Sequence, residues 1–177
     1  LAEAFDRGLS GVKLHCHVQC FEMLGPAMHE IYMLCQQLDK PLIMHVGREP
    51  KSPAYSCDPY VLCSADKLEH VIKAYPGLRV CVPHLGADEF DAYLGLLESY
   101  DNLWLDTTMT LADYLPFKNV PDLAKIRADR LIFGSDFPNL PYAWDRELQR
   151  IARSDLDRER LLKLLSQNAV EFYAIKM

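Results

Sequence analysis

No stretch of this sequence holds the roughly 18 to 20 consecutive apolar residues that a membrane-spanning helix requires. Residues 1–11 are charged and amphipathic, without the profile of a secretory signal, so no membrane association is expected. Lys and Arg form no cluster, and the formal net charge is -6. A protein that neutralises phosphates needs a basic surface, so no nucleic acid is expected as a partner. Neither G-x-G-x-x-G nor G-x-x-x-x-G-K-[ST] occurs, which removes the dinucleotide fingerprint and the P-loop. Linkers and composition breaks are lacking too. With 50% hydrophobic and 25% charged residues, the chain reads as one ordinary globular domain over 1–177.

Cysteine is present but lacks the arrangement of a framework. Six are spread over positions 16, 20, 35, 57, 63 and 81. A chain of this length can bury a core without staples, and Cys35 and Cys81 sit in apolar patterns as small hydrophobes. A reducing, cytoplasmic compartment is therefore expected. Cys16 and Cys20, beside His15 and His17, suggest half of a zinc knuckle, but Cys57 and Cys63 are too far apart to supply the second closely spaced pair.

What is there is an alternation of short apolar runs with stripes of period 3.6. Runs at 11–16, 41–46, 78–83, 103–107 and 130–136 predict strands. Stripes at 27–38, 65–75 and 90–99 predict helices, with shorter helical stretches at 111–115 and 122–127. The tail predicts helices at 143–152, 157–165 and 167–174, and 47–63 reads as one long loop. Continuous apolar strands between helices are the signature of a parallel sheet covered on both faces. Two architectures fit: an open doubly wound sheet, or part of a (β/α)8 barrel.

Three strand ends carry chemistry-bearing residues, His45, His84 and Asp136, each followed by a loop with Gly or Pro. Both architectures place ligand-binding groups there. Zn2+ favours imidazole nitrogen and carboxylate oxygen, and it lowers the pKa of a coordinated water. His45 and Asp136 are the candidate ligands. His84 is a second ligand or polarises water or substrate. Lys13, His15 and His17 alternate and would share one side if 11–17 stays extended. His15 is the one expected to line the site. Lys13 binds an anionic substrate group, pairs with an internal carboxylate, or is carboxylated as a bridging ligand. Arg48 and Glu49 contact substrate or are solvated loop charges. Asp106 supports the site or caps the next segment.

The segments GVKLH, PLIMHVG, YPGLRVCVPHLG, NLWLDTT, RLIFGSDFP and NAVEFY, in this order, resemble the amidohydrolase-related (amidohydrolase 2) family typified by aminocarboxymuconate-semialdehyde decarboxylase. The resemblance implies a distorted TIM barrel with a divalent metal, usually zinc. It implies that this chain supplies strands 4 to 8 and that strands 1 to 3, with their His-x-His ligands, are missing at the N-terminus. His45 and Asp136 would be metal ligands, and Asp136 and His84 catalytic. From their positions in the sequence, Lys13, His15 and Arg48 are the candidate substrate-binding residues. Open strand edges need partners, so a longer product or a homo-oligomer would cover them.

The leading expectation is metal-dependent hydrolysis of a small carbonyl compound, such as a lactone, amide or ester. The alternative is non-oxidative decarboxylation of an unsaturated or aromatic carboxylic acid. Fold alone does not choose between them.

Overall fold

The computed structural model describes residues 1–114 and 121–176. In chain order the helices are α1 (Ala2–Asp6), α2 (Cys16–Gln19), α3 (Pro26–Gln37), α4 (Pro59–Leu62), α5 (Ala65–Ala74), α6 (Phe90–Ser99), α7 (Arg146–Ala152), α8 (Arg158–Leu162) and α9 (Asn168–Phe172). The strands are β1 (Val12–His15), β2 (Leu42–His45), β3 (Val80–Val82), β4 (Leu103–Asp106) and β5 (Leu131–Ile132). They form one sheet in the order β1-β2-β3-β4-β5, with every pair parallel. Parallel neighbours cannot be joined by a tight turn, so each connection crosses over. Helices α3, α5 and α6 make the first three crossings. The result is a partial, TIM-barrel-like (β/α) arrangement.

Local chemistry sets these elements. Pro26 opens α3 at a position where its missing N–H costs nothing. Met28, Tyr32 and Cys35, spaced four and three residues apart, form the stripe that α3 buries. Ser64 caps α5 by accepting the Lys67 N–H at 3.1 Å, and Leu68, Val71 and Ile72 form its buried stripe.

Strand alternation divides the sheet into two faces. Leu42, Met44, Val80, Val82, Leu103, Leu105 and Leu131 point into the main core under the crossover helices. The other face carries Ile43, Cys81, Trp104 and Ile132, covered by Phe172 and Tyr173 of the α9 end. The Phe172 ring meets Trp104 at 5.4 Å. Buried Asn168 donates to the carbonyls of Ala128 and Leu131, both at 2.7 Å, tying α9 to the start of β5.

Several expectations change. The loop 47–63 contains α4. The two tail helices expected at 157–165 and 167–174 are one continuous run, in which α8 passes through a π-helical turn, Lys163–Gln167, into α9. Residues 122–127 form turns rather than a helix, as do 111–113. The remainder of the 111–115 expectation reaches residue 115, outside the described residues.

Candidate metal centre at the strand ends

Because every strand runs the same way, their C-terminal ends share one edge of the sheet. His15 ends β1, His45 ends β2, and the two are register partners. Their rings stack at 3.9 Å and 15°. The chain does not stay extended to residue 17. It turns into α2 at Cys16, where the Gln19 side chain accepts the His15 N–H at 2.7 Å. That turn lays the His17 ring edge-on to His15 at 4.4 Å and to His45 at 5.1 Å. His17 is fully buried.

Glu49, four residues past His45, locks this group. Its Oε1 lies 2.5 Å from His45 Nε2. Its Oε2 lies 3.4 Å from His17 Nε2 and accepts the Tyr55 hydroxyl at 3.0 Å. The electrostatics follow. Burial, then the neighbouring rings of His45 and His17, push His15 down to about 3. Burial also lowers His45. At His17 burial acts in the same direction, but contacts with Cys63 and Glu49 outweigh it and hold the ring up at about 9. Burial opposes charge on Glu49 as well, yet His17 and His45 hold its carboxyl well below the ordinary range.

His84 reaches the same place by a strained route. It lies beyond β3, in a turn where His84, Leu85, Gly86 and Ala87 all have positive φ (57°, 51°, 84° and 52°). Left-handed backbone costs roughly 1–2 kcal/mol for each residue bearing a Cβ, so the surroundings must enforce it. Asp106 Oδ1 accepts both the His84 N–H (3.2 Å) and the Thr108 N–H (3.0 Å). A Cβ on Gly86 would stand 2.0 Å from the Tyr93 ring, and one on Gly47 would stand 2.7 Å from the Gly86 backbone. The two loops therefore touch, and the His84 and His45 rings come within 4.7 Å. His84 Nδ1 is held by the Thr108 carbonyl at 2.9 Å, leaving Nε2 as its free ring nitrogen.

Asp136 lies four residues past β5 rather than at its end, with φ 64°. Its Oδ1 is 3.7 Å from Lys13 Nζ. His15, His45, Arg48, Glu49, His84 and Asp136 all line one cavity of about 410 Å3. That is within the ~300–1,000 Å3 typical of small-molecule pockets. Arg48 donates from Nε to the Cys63 carbonyl at 3.0 Å and faces Glu89 at 3.6 Å.

The donor set fits a divalent metal. His15, His17 and His45 each offer a ligand atom, and these lie within 4.8 Å of one another; His45, Glu49 and His84 form a second such trio. His15 Nδ1 and His17 Nε2 are buried without a hydrogen-bond partner. Buried polar atoms are ordinarily satisfied, and a neutral imidazole lone pair is a ready metal ligand. Because His17 is held protonated near neutral pH, taking up an ion there would displace a proton.

His45, His84 and Asp136, conspicuous in the sequence, all line the cavity. His17 and Glu49 are less conspicuous there. The signal available for them was the HCH triplet and the H-x-x-x-E spacing, but a four-residue helix and an irregular loop carry no periodicity to read.

Among the described residues no helix is long and apolar enough to cross a membrane. No curated protein matches the chain. Solved structures do. An uncharacterised TIM-barrel protein of Bordetella bronchiseptica is 21% identical with a TM-score of 0.77, over 98% of this chain and 60% of that one. A 5-carboxyvanillate decarboxylase of Novosphingobium aromaticivorans, complexed with manganese and 4-hydroxy-3-methoxy-5-nitrobenzoic acid, is 16% identical with a TM-score of 0.65, over 97% and 58%. A probable 2-pyrone-4,6-dicarboxylic acid hydrolase of Acinetobacter baumannii, with citric acid bound, is 15% identical with a TM-score of 0.65, over 98% and 67%. At these identities the likeness shows a shared fold, and the chain spans about three-fifths of the length of the first two. The family model described as Amidohydrolase matches residues 1–175. The chain belongs to the amidohydrolase family.

Proposed function

We propose that this site performs metal-dependent, non-oxidative decarboxylation of an unsaturated or aromatic carboxylic acid. The observation that carries the reading is the convergence of His15, His45, His84 and Asp136 on one cavity whose wall also presents a guanidinium, Arg48. His45 and Asp136, with His15 and His17, would hold the ion; an imidazole-rich set suits Zn2+. When bound, the ion would neutralise the acid's oxygens and draw electron density from the reacting carbon.

Each remaining role falls to a residue of the chain. Arg48 and Lys13 orient the substrate's anionic oxygens. The ring of His15, uncharged at neutral pH, keeps a lone pair available to the ion. As the carbon–carboxylate bond breaks, its electron pair stays on the substrate carbon and carbon dioxide leaves. His84, its ring fixed through Nδ1 to Thr108, delivers a proton to that carbon from Nε2. A proton drawn from solvent and relayed by Asp136, beside Lys13, recharges His84 for the next cycle. Support from relatives comes from the manganese-bound decarboxylase of the same fold, whose bound nitrobenzoic acid is an aromatic carboxylate.

A second reading keeps the same residues. The fold relative from Acinetobacter baumannii is a probable hydrolase. For hydrolysis of a lactone, amide or ester, Asp136 would take a proton from attacking water and pass it to the leaving group, while His84 steadies the oxyanion.

A panel of hydroxybenzoic and 2,4-dienoic acids assayed beside a lactone panel separates the two, with Zn2+ and Mn2+ supplied in turn. Carbon dioxide release from an acid, with deuterium from heavy water appearing on the product carbon, is expected. Lactone opening with no carbon dioxide from any acid would replace decarboxylation by the second reading.

A further inference from the structure

Outside the histidine cluster, four thiols surround the turn that carries His17. Cys16 and Cys63 are buried; Cys20 is exposed and Cys57 partly so. The thiols of Cys20 and Cys57 both approach the same carbonyl oxygen, that of His17, at 3.5 and 3.0 Å. Cys20 Sγ also lies 3.0 Å from the hydroxyl of Ser56, the residue that precedes Cys57. Cys20 ends α2 in left-handed backbone, and Cys57 lies in the loop that follows β2, 37 positions further along. No group of three ligand atoms including these thiols is close enough to hold a metal among the described residues, which leaves pairwise sulfur chemistry.

We propose that Cys20 and Cys57 are a reversible disulfide pair that ties the 47–63 loop to α2. The reaction balances with a low-molecular-weight disulfide as oxidant. The more exposed Cys20, as thiolate, attacks one sulfur of the small disulfide and expels a thiolate. Cys57 then attacks the Cys20 sulfur of the mixed disulfide and expels the second. Two protein thiols are oxidised, one small disulfide is reduced to two thiols, and the two protons end on the released thiols.

The tie would matter because of what the loop carries. Glu49 and Tyr55, which lock His17 and His45, lie eight and two residues before Cys57. With the thiols free, both already sit over the cluster; the disulfide would fasten the loop in that position and slow its opening to substrate. Only this regulatory consequence rests on the proposed function; the bond itself does not.

The test uses the whole chain, reduced and then equilibrated with oxidised glutathione. Tryptic mapping should show the peptide beginning at Leu14 linked to the one beginning at Ser52, with the link lost on dithiothreitol and absent in both C20S and C57S. Serine can still donate to the His17 carbonyl, so both variants should fold. In folded protein, brief trypsin nicking after Lys51 should slow at least threefold on oxidation. Six alkylatable thiols remaining after oxidation would overturn the proposal, as would a link that survives in either variant. If the bond forms while no acid is decarboxylated, the proposed function fails and the disulfide stands.

Discussion

Replacing Glu49 by Gln keeps the shape of the side chain that bridges His45 and His17 but removes its charge, and His17 should report the loss. Glu49 Oε2 sits 3.4 Å from His17 Nε2. Two unit charges at that distance attract by about 5 kcal/mol at an effective dielectric constant of ~20. The Glu49 side chain keeps 25% of its exposure, and its second oxygen serves His45, so roughly a third of that attraction is attributed to His17. A third is ~1.5 kcal/mol, or about one pKa unit. In metal-free protein the His17 pKa, held at about 9 in the parent, should therefore fall by about one unit. Proton NMR titration of the imidazole Cε1–H resonance, assigned by its absence in H17N, measures it directly. A His17 pKa unmoved in E49Q would refute the electrostatic account and leave Cys63 as the cause of the elevation.

Three further outcomes follow from the same geometry. Metal analysis of purified protein should give about one divalent ion per chain, because the two ligand trios share His45, with the ion lost in both H45A and D136A; unchanged content in both would remove their ligand roles. Stability of the metal-free protein should peak near pH 6.5. The depressed His15 contributes fully above its unfolded value of 6.5 and loses its contribution as pH falls toward about 3. The raised His17 contributes fully below 6.5 and loses its contribution as pH rises through about 9. Each limb should be worth roughly 1–2 kcal/mol after solvent screening. Thermal melts should show the acid limb flattened in H15N and the alkaline limb flattened in H17N, and a melt profile that is flat from pH 5 to 9 would contradict both assignments. G86A should lose about 2–4 kcal/mol in urea unfolding, from left-handed strain plus overlap with the Tyr93 ring; a loss under 1 kcal/mol would mean the turn relaxes.

Much of the scaffold was legible because burial imposes periods. The stripe of α5 and the apolar runs of β2 and β4 could be read almost to their ends. The choice between an open sheet and part of a barrel was not, because strand and helix periods are the same in both. At the site, His45 was visible as the polar end of an apolar run. His84 lines the cavity but does not end a strand: its backbone is left-handed, and the Gly47–Gly86 contact that positions it joins residues 39 apart in sequence. Glu49 and His17 were obscured for a related reason, since their roles arise from a loop folding back onto a short helix.

The docking of α9 beneath the sheet gives the protein an internal optical probe. Trp104, 3% exposed, lies against Phe172 and under the Arg130 guanidinium, whereas Trp144, the second of two tryptophans, is 59% exposed. Fluorescence therefore contains a blue component that reads the C-terminal helix and a red one that reads the surface. Any truncation or fusion that unseats the last turn would announce itself as a loss of the blue component alone, before the remainder of the sheet is disturbed.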